Sequence, residues 1–140
     1  VLAPLVGRQA GLLLADTARY AEKQLFVAQC GVDPARIAAI GGIEARGVDL
    51  WAERERVLDL LTEAGKNLLA AGRVQVLLLG CLSFLGLAHP LSERLGVPVV
   101  DPAVAPVALA ECLVRQGLKT SRKAYPAPPL RKRTWQSGQL

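Results

Sequence analysis

Residues 74–86, VQVLLLGCLSFLG, restrict what this chain can fold into more than any other stretch. Val74, Val76, Leu77, Leu78 and Leu79 form an apolar run without polar alternation, bounded by Gly72-Arg73 before it and Gly80 after it. Such a run reads as a strand buried on both faces, the kind a parallel sheet covered by helices requires. Ser83 is placed to cap a following helix, which puts Cys81 at the strand-to-helix turn. In an open parallel sheet that turn lies at the carboxyl edge, where ligands bind. Backbone N–H groups and a helix dipole there both favour a thiolate. Placement alone leaves Cys81 open between a reactive thiol and a small core residue, because cysteine is often fully buried.

The rest of the chain repeats the pattern. Residues 9–15 (QAGLLLA) form a second apolar run, and Asp16 or Thr17 caps a helix over residues 18–30 that Gly31 stops. Residues 36–40 (RIAAI) read as a short strand followed by a flexible Gly41-Gly42. A long helix spans residues 51–71, with Val57, Leu61, Ala64, Leu68 and Ala71 as its buried stripe. Its residues Glu53, Arg54, Glu55, Arg56 and Glu63 are expected to face water. A helix from Ser83 to Leu95 follows the central strand, and residues 97–100 (VPVV) give a fourth strand. Asp101-Pro102 then starts a helix over residues 103–116, with Asp101 read as its cap ahead of a catalytic acid.

Four strand–helix repeats predict an α/β domain, a three-layer parallel sheet of about four strands flanked by helices. Right-handed crossovers place Asp16-Thr17, Gly41-Gly42, Cys81-Ser83 and Asp101 along one edge of it. This domain is expected over residues 1–125, with a flexible basic tail over 126–140. At 140 residues, 51% hydrophobic and 21% charged, the chain is long and apolar enough for one such core.

Charge and cysteine usage narrow the function. The net charge of +5 is concentrated from Lys119 onward, with Arg122, Lys123, Arg131, Lys132 and Arg133, and no aromatics are interleaved among basic residues in the body. That pattern is a solvated tail and not a nucleic-acid surface. No apolar run approaches the roughly 20 residues of a membrane span. Three cysteines, Cys30, Cys81 and Cys112, make neither a disulfide framework nor a CxxC zinc site, and one histidine, His89, leaves metal ligation poorly supplied. A reducing cytoplasmic setting follows, with no metal. Cys30, in a last helical turn, and Cys112, inside the last helix, read as structural and core residues, and His89 as exposed and inert. No GxGxxG, GxxxxGK[ST] or GxSxG occurs, so dinucleotide, P-loop and hydrolase-elbow readings lack support.

The run LLLGCLSFLGLAHPLSERLGVPVVDPAVAPVALAE with LVRQGLKTSRKAYPAPP resembles the carboxyl half of hydantoin racemases in the Asp/Glu racemase superfamily. The resemblance rests on Gly80-Cys81 at a strand end, on Leu95-Gly96-Val97-Pro98-Val99, on Asp101, and on Gly117, Leu118, Thr120, Ser121 and Tyr125. Arg122 stands where the family pattern has Lys. It covers residues 72–128 well and 8–50 more faintly. It implies two similar α/β halves around a cleft, each supplying one cysteine, with no metal or organic cofactor. One thiolate removes a proton beside a carbonyl and the other thiol returns one on the opposite face. Cys81 matches the second cysteine, and Thr17, Leu82 and Ser83 become candidate contacts to a small hydantoin, amino-acid or related carbonyl substrate. Thr17 remains open between such a contact and simple helix capping, as does Ser83. The backbone N–H groups of Leu82 and Ser83 would form an oxyanion site.

Two departures matter. Leu82-Ser83-Phe84 is bulkier than the family's small residues there. The other cysteine belongs to an amino-terminal half that the chain does not include, since Cys30 sits at a helix end; with no Met anywhere, a truncated amino terminus is expected. The expected protein is therefore a cofactor-independent racemase, here a partial chain, and a homo-oligomer. The alternatives are a single-cysteine decarboxylase of the same superfamily, or an inert fragment that binds another protein through its uncovered apolar face.

Overall fold

Leu77 and Val76 are fully buried on opposite faces of the central strand, so helices must cover the sheet on both sides. A computed structural model describes residues 3–45 and 47–127. Among them are four strands, β1 (Ala10–Leu14), β2 (Ile37–Gly42), β3 (Val76–Leu79) and β4 (Val99–Val100). The helices are α1 (Ala3–Val6), α2 (Tyr20–Gln29), α3 (Arg54–Ala70), α4 (Ala88–Leu95) and α5 (Val104–Arg115). The sheet is parallel throughout, in the order β2-β1-β3-β4. The expected four-strand α/β architecture is therefore the observed one. By internal contacts the described residues up to Ala108 form one compact unit and those from Leu109 onward a second.

The two faces of the sheet are unequal. On one, Leu13, Leu77 and Leu79 pack with Val57, Leu58, Leu61 and Leu68 of α3 and Leu91 of α4. On the other, Ala10 and Val76 pack with the half-buried Ile37, Leu78 and Val100, and Leu12 and Leu14 of β1 are buried on the same side. The helix α2 buries none of its residues, and Leu25 and Phe26 are exposed. Between α2 and β2 lies a hollow of about 550 Å³ lined by Tyr20, Leu25, Ile37 and Ile40 among others.

Several sequence expectations are corrected. Gly41 and Gly42 belong to β2 and are not a flexible link: a Cβ on Gly42 would come 2.4 Å from the Leu14 carbonyl oxygen. The long helix begins at Arg54, because Asp49 caps a preceding turn through the N–H groups of Trp51 (2.9 Å) and Ala52 (3.0 Å). Its buried stripe includes Leu58, Thr62 and Gly65, whereas Ala71 is exposed. The helix expected from Ser83 does not start until Ala88. A start at Ser83 would put Pro90 in a helix interior, at a cost of about 3 kcal/mol, whereas in α4 it falls in the first turn. Gly86, at φ 81°, breaks the chain between the two.

In the second unit the end of α5 closes on Gly117 (φ 68°), with Leu118 N–H donating to Leu113 C=O at 2.9 Å. Ser121 C=O accepts from the N–H groups of Ala124 and Tyr125. Cys112 is exposed, not core, because α5 buries no residue. The basic tail expected over 126–140 lies outside the described residues beyond 127.

The uneven burial has a measurable consequence. Leu77→Ala is expected to lower the unfolding free energy by about 3 kcal/mol, and Leu25→Ala to stay within about 0.5 kcal/mol. Urea unfolding checks both, and equal losses would show that α2 packs as tightly as α3.

Candidate active site at the carboxyl edge of the sheet

The strand order reverses direction between β1 and β3: the chain moves out from β1 to β2, then crosses back to β3 and on to β4. Their carboxyl ends flank the switch point, where open α/β sheets bind ligands. The pairing Leu13↔Leu79 and the bond from Gly80 N–H to Leu13 C=O (2.8 Å) keep the chains in register as they leave the sheet. Residues 15–17 and 80–83 therefore leave adjacent strands. Gly80 is required by this closeness, since a Cβ there would come 2.7 Å from Leu14 Cδ2 and 3.1 Å from Leu13 O.

Cys81 follows in an extended conformation (φ −134°, ψ 133°), half-buried against the main core and with its thiol free. Behind it comes only a three-residue 3-10 turn, Leu82–Phe84. The long helix whose dipole was expected here starts seven residues further on. Phe84 is fully buried and anchors the turn, whereas Leu82 is 68% exposed. Cys81, not Ser83, takes the cap position, and it makes no side-chain cap bond. The first N–H groups of a helical turn have no partner within it. Among the described residues nothing accepts from Leu82 or Ser83 N–H, so both are available to a ligand.

The turn is held from two sides. Arg54, at the start of α3, donates from Nη1 to Ser83 C=O at 2.8 Å and from Nη2 to Leu85 C=O. Its guanidinium carbon lies 5.2 Å from the Trp51 ring centroid, a cation–π contact. Asp101, at the end of β4, accepts from Gly86 N–H through Oδ2 at 2.8 Å. Through Oδ1 it accepts from Ala103 (2.8 Å) and Val104 (3.0 Å) N–H, the cap that the sequence predicted for the last helix. Burial works to raise the Asp101 carboxyl, but the three N–H bonds and the nearby Arg54 charge prevail and hold it below the ordinary carboxylate value.

On the β1 side Asp16, not Thr17, is the cap, accepting from Ala18 N–H at 2.8 Å. Thr17 Oγ1 donates to the Glu44 carboxylate, which arrives from just beyond β2. The edge thus brings Thr17, Cys81, Leu82, Ser83 and Asp101 to the ends of neighbouring strands, as the topology argument required. Cys30 caps the far end of α2, exposed, and takes no part. His89 is exposed on α4. A second hollow, about 600 Å³, is lined by Leu5, His89, Val100 and Val104 among others; neither hollow includes Cys81.

Sequence reasoning missed Arg54 and Glu44. Arg54 was grouped with the water-facing charges of its helix, and the run Glu53-Arg54-Glu55-Arg56 offers no mark that singles it out. Asp49 two residues before Trp51, as an alternative cap, was the available signal that the helix starts later.

The lowered Asp101 carboxyl sets a pH dependence. Its stabilisation is present above the unfolded carboxylate value, about 3.9, and is lost as pH falls through the lower folded value. Asp101→Ala is expected to cost about 2 kcal/mol at pH 7. Asp101→Asn should also be less stable than wild type there, with the difference shrinking through that acid range in urea unfolding. A difference independent of pH would contradict the charge-based account of the turn.

Comparison with known proteins points to racemases. A family model for Asp/Glu/hydantoin racemases matches residues 13–110. A hydantoin racemase from Paenarthrobacter aurescens is 38% identical over 84 residues, covering 59% of this chain and 36% of that protein. The crystal structure of allantoin racemase from Pseudomonas fluorescens superposes with a TM-score of 0.77 at 25% identity, over 95% of this chain and 57% of the other. Allantoin racemase from Klebsiella pneumoniae gives 0.71 at 27% identity, over 99% and 55%. The chain thus spans little more than a third of the curated relative and under three fifths of the solved ones.

Proposed function

This chain belongs to the Asp/Glu/hydantoin racemase family, and we propose that it carries one catalytic half of a cofactor-independent racemase for a small cyclic ureide or amino acid. The observation that carries this reading is Cys81, a free thiol at the end of β3, beside the switch point, with two unpartnered backbone N–H groups next to it. Inversion at a carbon next to a carbonyl needs a base on one face and an acid on the other. Cys81 as thiolate takes the proton, breaking the C–H bond and leaving its electron pair delocalised onto the carbonyl oxygen. A second thiol, supplied by another part of the protein, returns a proton to the opposite face. After one turnover the two sulfurs have exchanged protonation states, so the site is ready for the other enantiomer.

The remaining residues divide the work. The Leu82 and Ser83 N–H groups donate to the developing oxyanion or to a ring carbonyl, where fixed donors act without reorganising. The Ser83 hydroxyl and, from β1, Thr17 contact the substrate's polar edge, with Glu44 fixing the direction of the Thr17 hydroxyl. Leu82, exposed at the edge, borders the substituent on the reacting carbon. Hydantoin and allantoin, named for the relatives, both present ring N–H and C=O groups that such donors and acceptors suit. Those relatives are racemases, which gives the single-cysteine decarboxylase no support. The reading extends to a homo-oligomer in the cytoplasm: Leu25 and Phe26 of α2 are exposed, the described cysteines are free, and no helix among the described residues is long and apolar enough to cross a membrane.

Chiroptical assay of single enantiomers of 5-substituted hydantoins and of allantoin, with the full-length protein, tests this. Cys81→Ser is expected to lower racemisation by about 10³-fold, whereas Cys30→Ser and Cys112→Ser leave it unchanged. Unchanged turnover in Cys81→Ser would sink the proposal.

A further inference from the structure

A thiol that must meet a carbon-bound proton needs a fixed position, and the chain around Cys81 is poorly suited to give one. It is a 3-10 turn of three residues followed by Leu85 (φ −48°, ψ 128°), which leaves the helical conformation, and Gly86 at positive φ. Two of its carbonyls, those of Ser83 and Leu85, point away from the helix ladder, and Arg54 takes both. Arg54 itself is seated: Trp51 lies against its guanidinium, and Asp49 fixes the Trp51 turn through backbone N–H bonds. Gly86 is needed for its positive φ (81°) and not for space, since a Cβ there would stand an ordinary 3.7 Å from Nη2.

We propose that Arg54 is a positioning residue for Cys81, its guanidinium bridging the Ser83 and Leu85 carbonyls so that the turn presents the thiol at one fixed place. The proposal rests on the racemase reading of Cys81. It assigns a functional task to a residue that touches no reacting atom and whose neighbours Glu55 and Arg56 make surface ion pairs with Arg94 and Glu53. The guanidinium presents its donors in a rigid planar fork that holds two carbonyls at a set separation, whereas the three donors of an ammonium rotate freely about a shorter stem. The bridge also leaves the Leu82 and Ser83 N–H groups unoccupied, because the cation competes only for carbonyls.

The test reads Cys81 directly, by mass spectrometry of its peptide during iodoacetamide alkylation of the folded full-length protein. Arg54→Ala is expected to raise the Cys81 alkylation rate about tenfold or more as the turn opens locally. Millimolar guanidinium should return the rate toward wild type by refilling the vacated place. Arg54→Lys, which keeps the charge but not the fork, should also raise the rate, and it carries the same test if Arg54→Ala does not fold. In turnover, kcat should fall about 10²-fold, with KM within about twofold, and recover partly with guanidinium. A wild-type alkylation rate in the Arg54 variants would overturn the proposal. So would a raised rate that guanidinium does not reverse, which marks a merely structural role. If Cys81→Ser still racemises, the racemase reading fails, while the alkylation result continues to report on the bridge.

Discussion

The bonds from Arg54 to the Ser83 and Leu85 carbonyls are the interaction on which the carboxyl edge depends. A chain leaving a buried parallel strand must find partners for its backbone groups, and here no helix follows at once to supply them. One cation satisfies the carbonyls of the turn, and one carboxylate, Asp101, takes the Gly86 N–H. The opposite charges lie close enough that Arg54 helps hold the Asp101 carboxyl ionised. Three elements, the start of α3, the end of β4 and the turn after β3, are thereby tied at one point. The groups left over are the N–H donors beside the thiol.

The tied point lies on the better buried side of the sheet. The face that anchors Arg54 is the one packed with α3 and α4, where Val57, Leu61, Leu77 and Leu91 are fully buried. The opposite face, under α2, is thin, and α2 contributes no buried side chain. The well-packed side carries the element that positions Cys81, while Thr17, at the end of β1, has its hydroxyl directed by one carboxylate from just beyond β2. On the proposed reading, precision matters most at the thiol, because a displacement of about 1 Å at a reacting atom can cost 10²-fold in rate.

Much of this was legible in the residues. Apolar runs at residues 10–15 and 76–79 marked the two inner strands, and Gly80-Cys81 marked the edge, because burial on both faces leaves a direct trace in composition. Asp101-Pro102 marked a cap for the same reason: few residue types make it. What escaped were features set by tertiary partners. Nothing local distinguishes Arg54 from Arg56, yet one bridges two carbonyls and the other pairs with Glu53 on the surface. Gly41-Gly42 looked flexible in isolation and are strand residues paired with Leu13 and Leu14, where a Cβ would crowd Leu68 at Gly41 and the Leu14 carbonyl at Gly42. Pro90 did carry a warning, since a helix running from Ser83 would have held it in its interior. Cys112 looked like core only because its helix is apolar, and an apolar helix is not always a covered one.

The central claim, proton transfer at carbon by a thiol at this edge, is tested most directly with isotopes. One enantiomer of a 5-substituted hydantoin is incubated with the full-length protein in deuterated water, and its ring C–H is followed by proton NMR as the opposite enantiomer appears. The expected result is product that carries deuterium at that carbon, while unreacted substrate keeps its protium, as separate thiols on two faces require. Product that retains the original protium would contradict the claim.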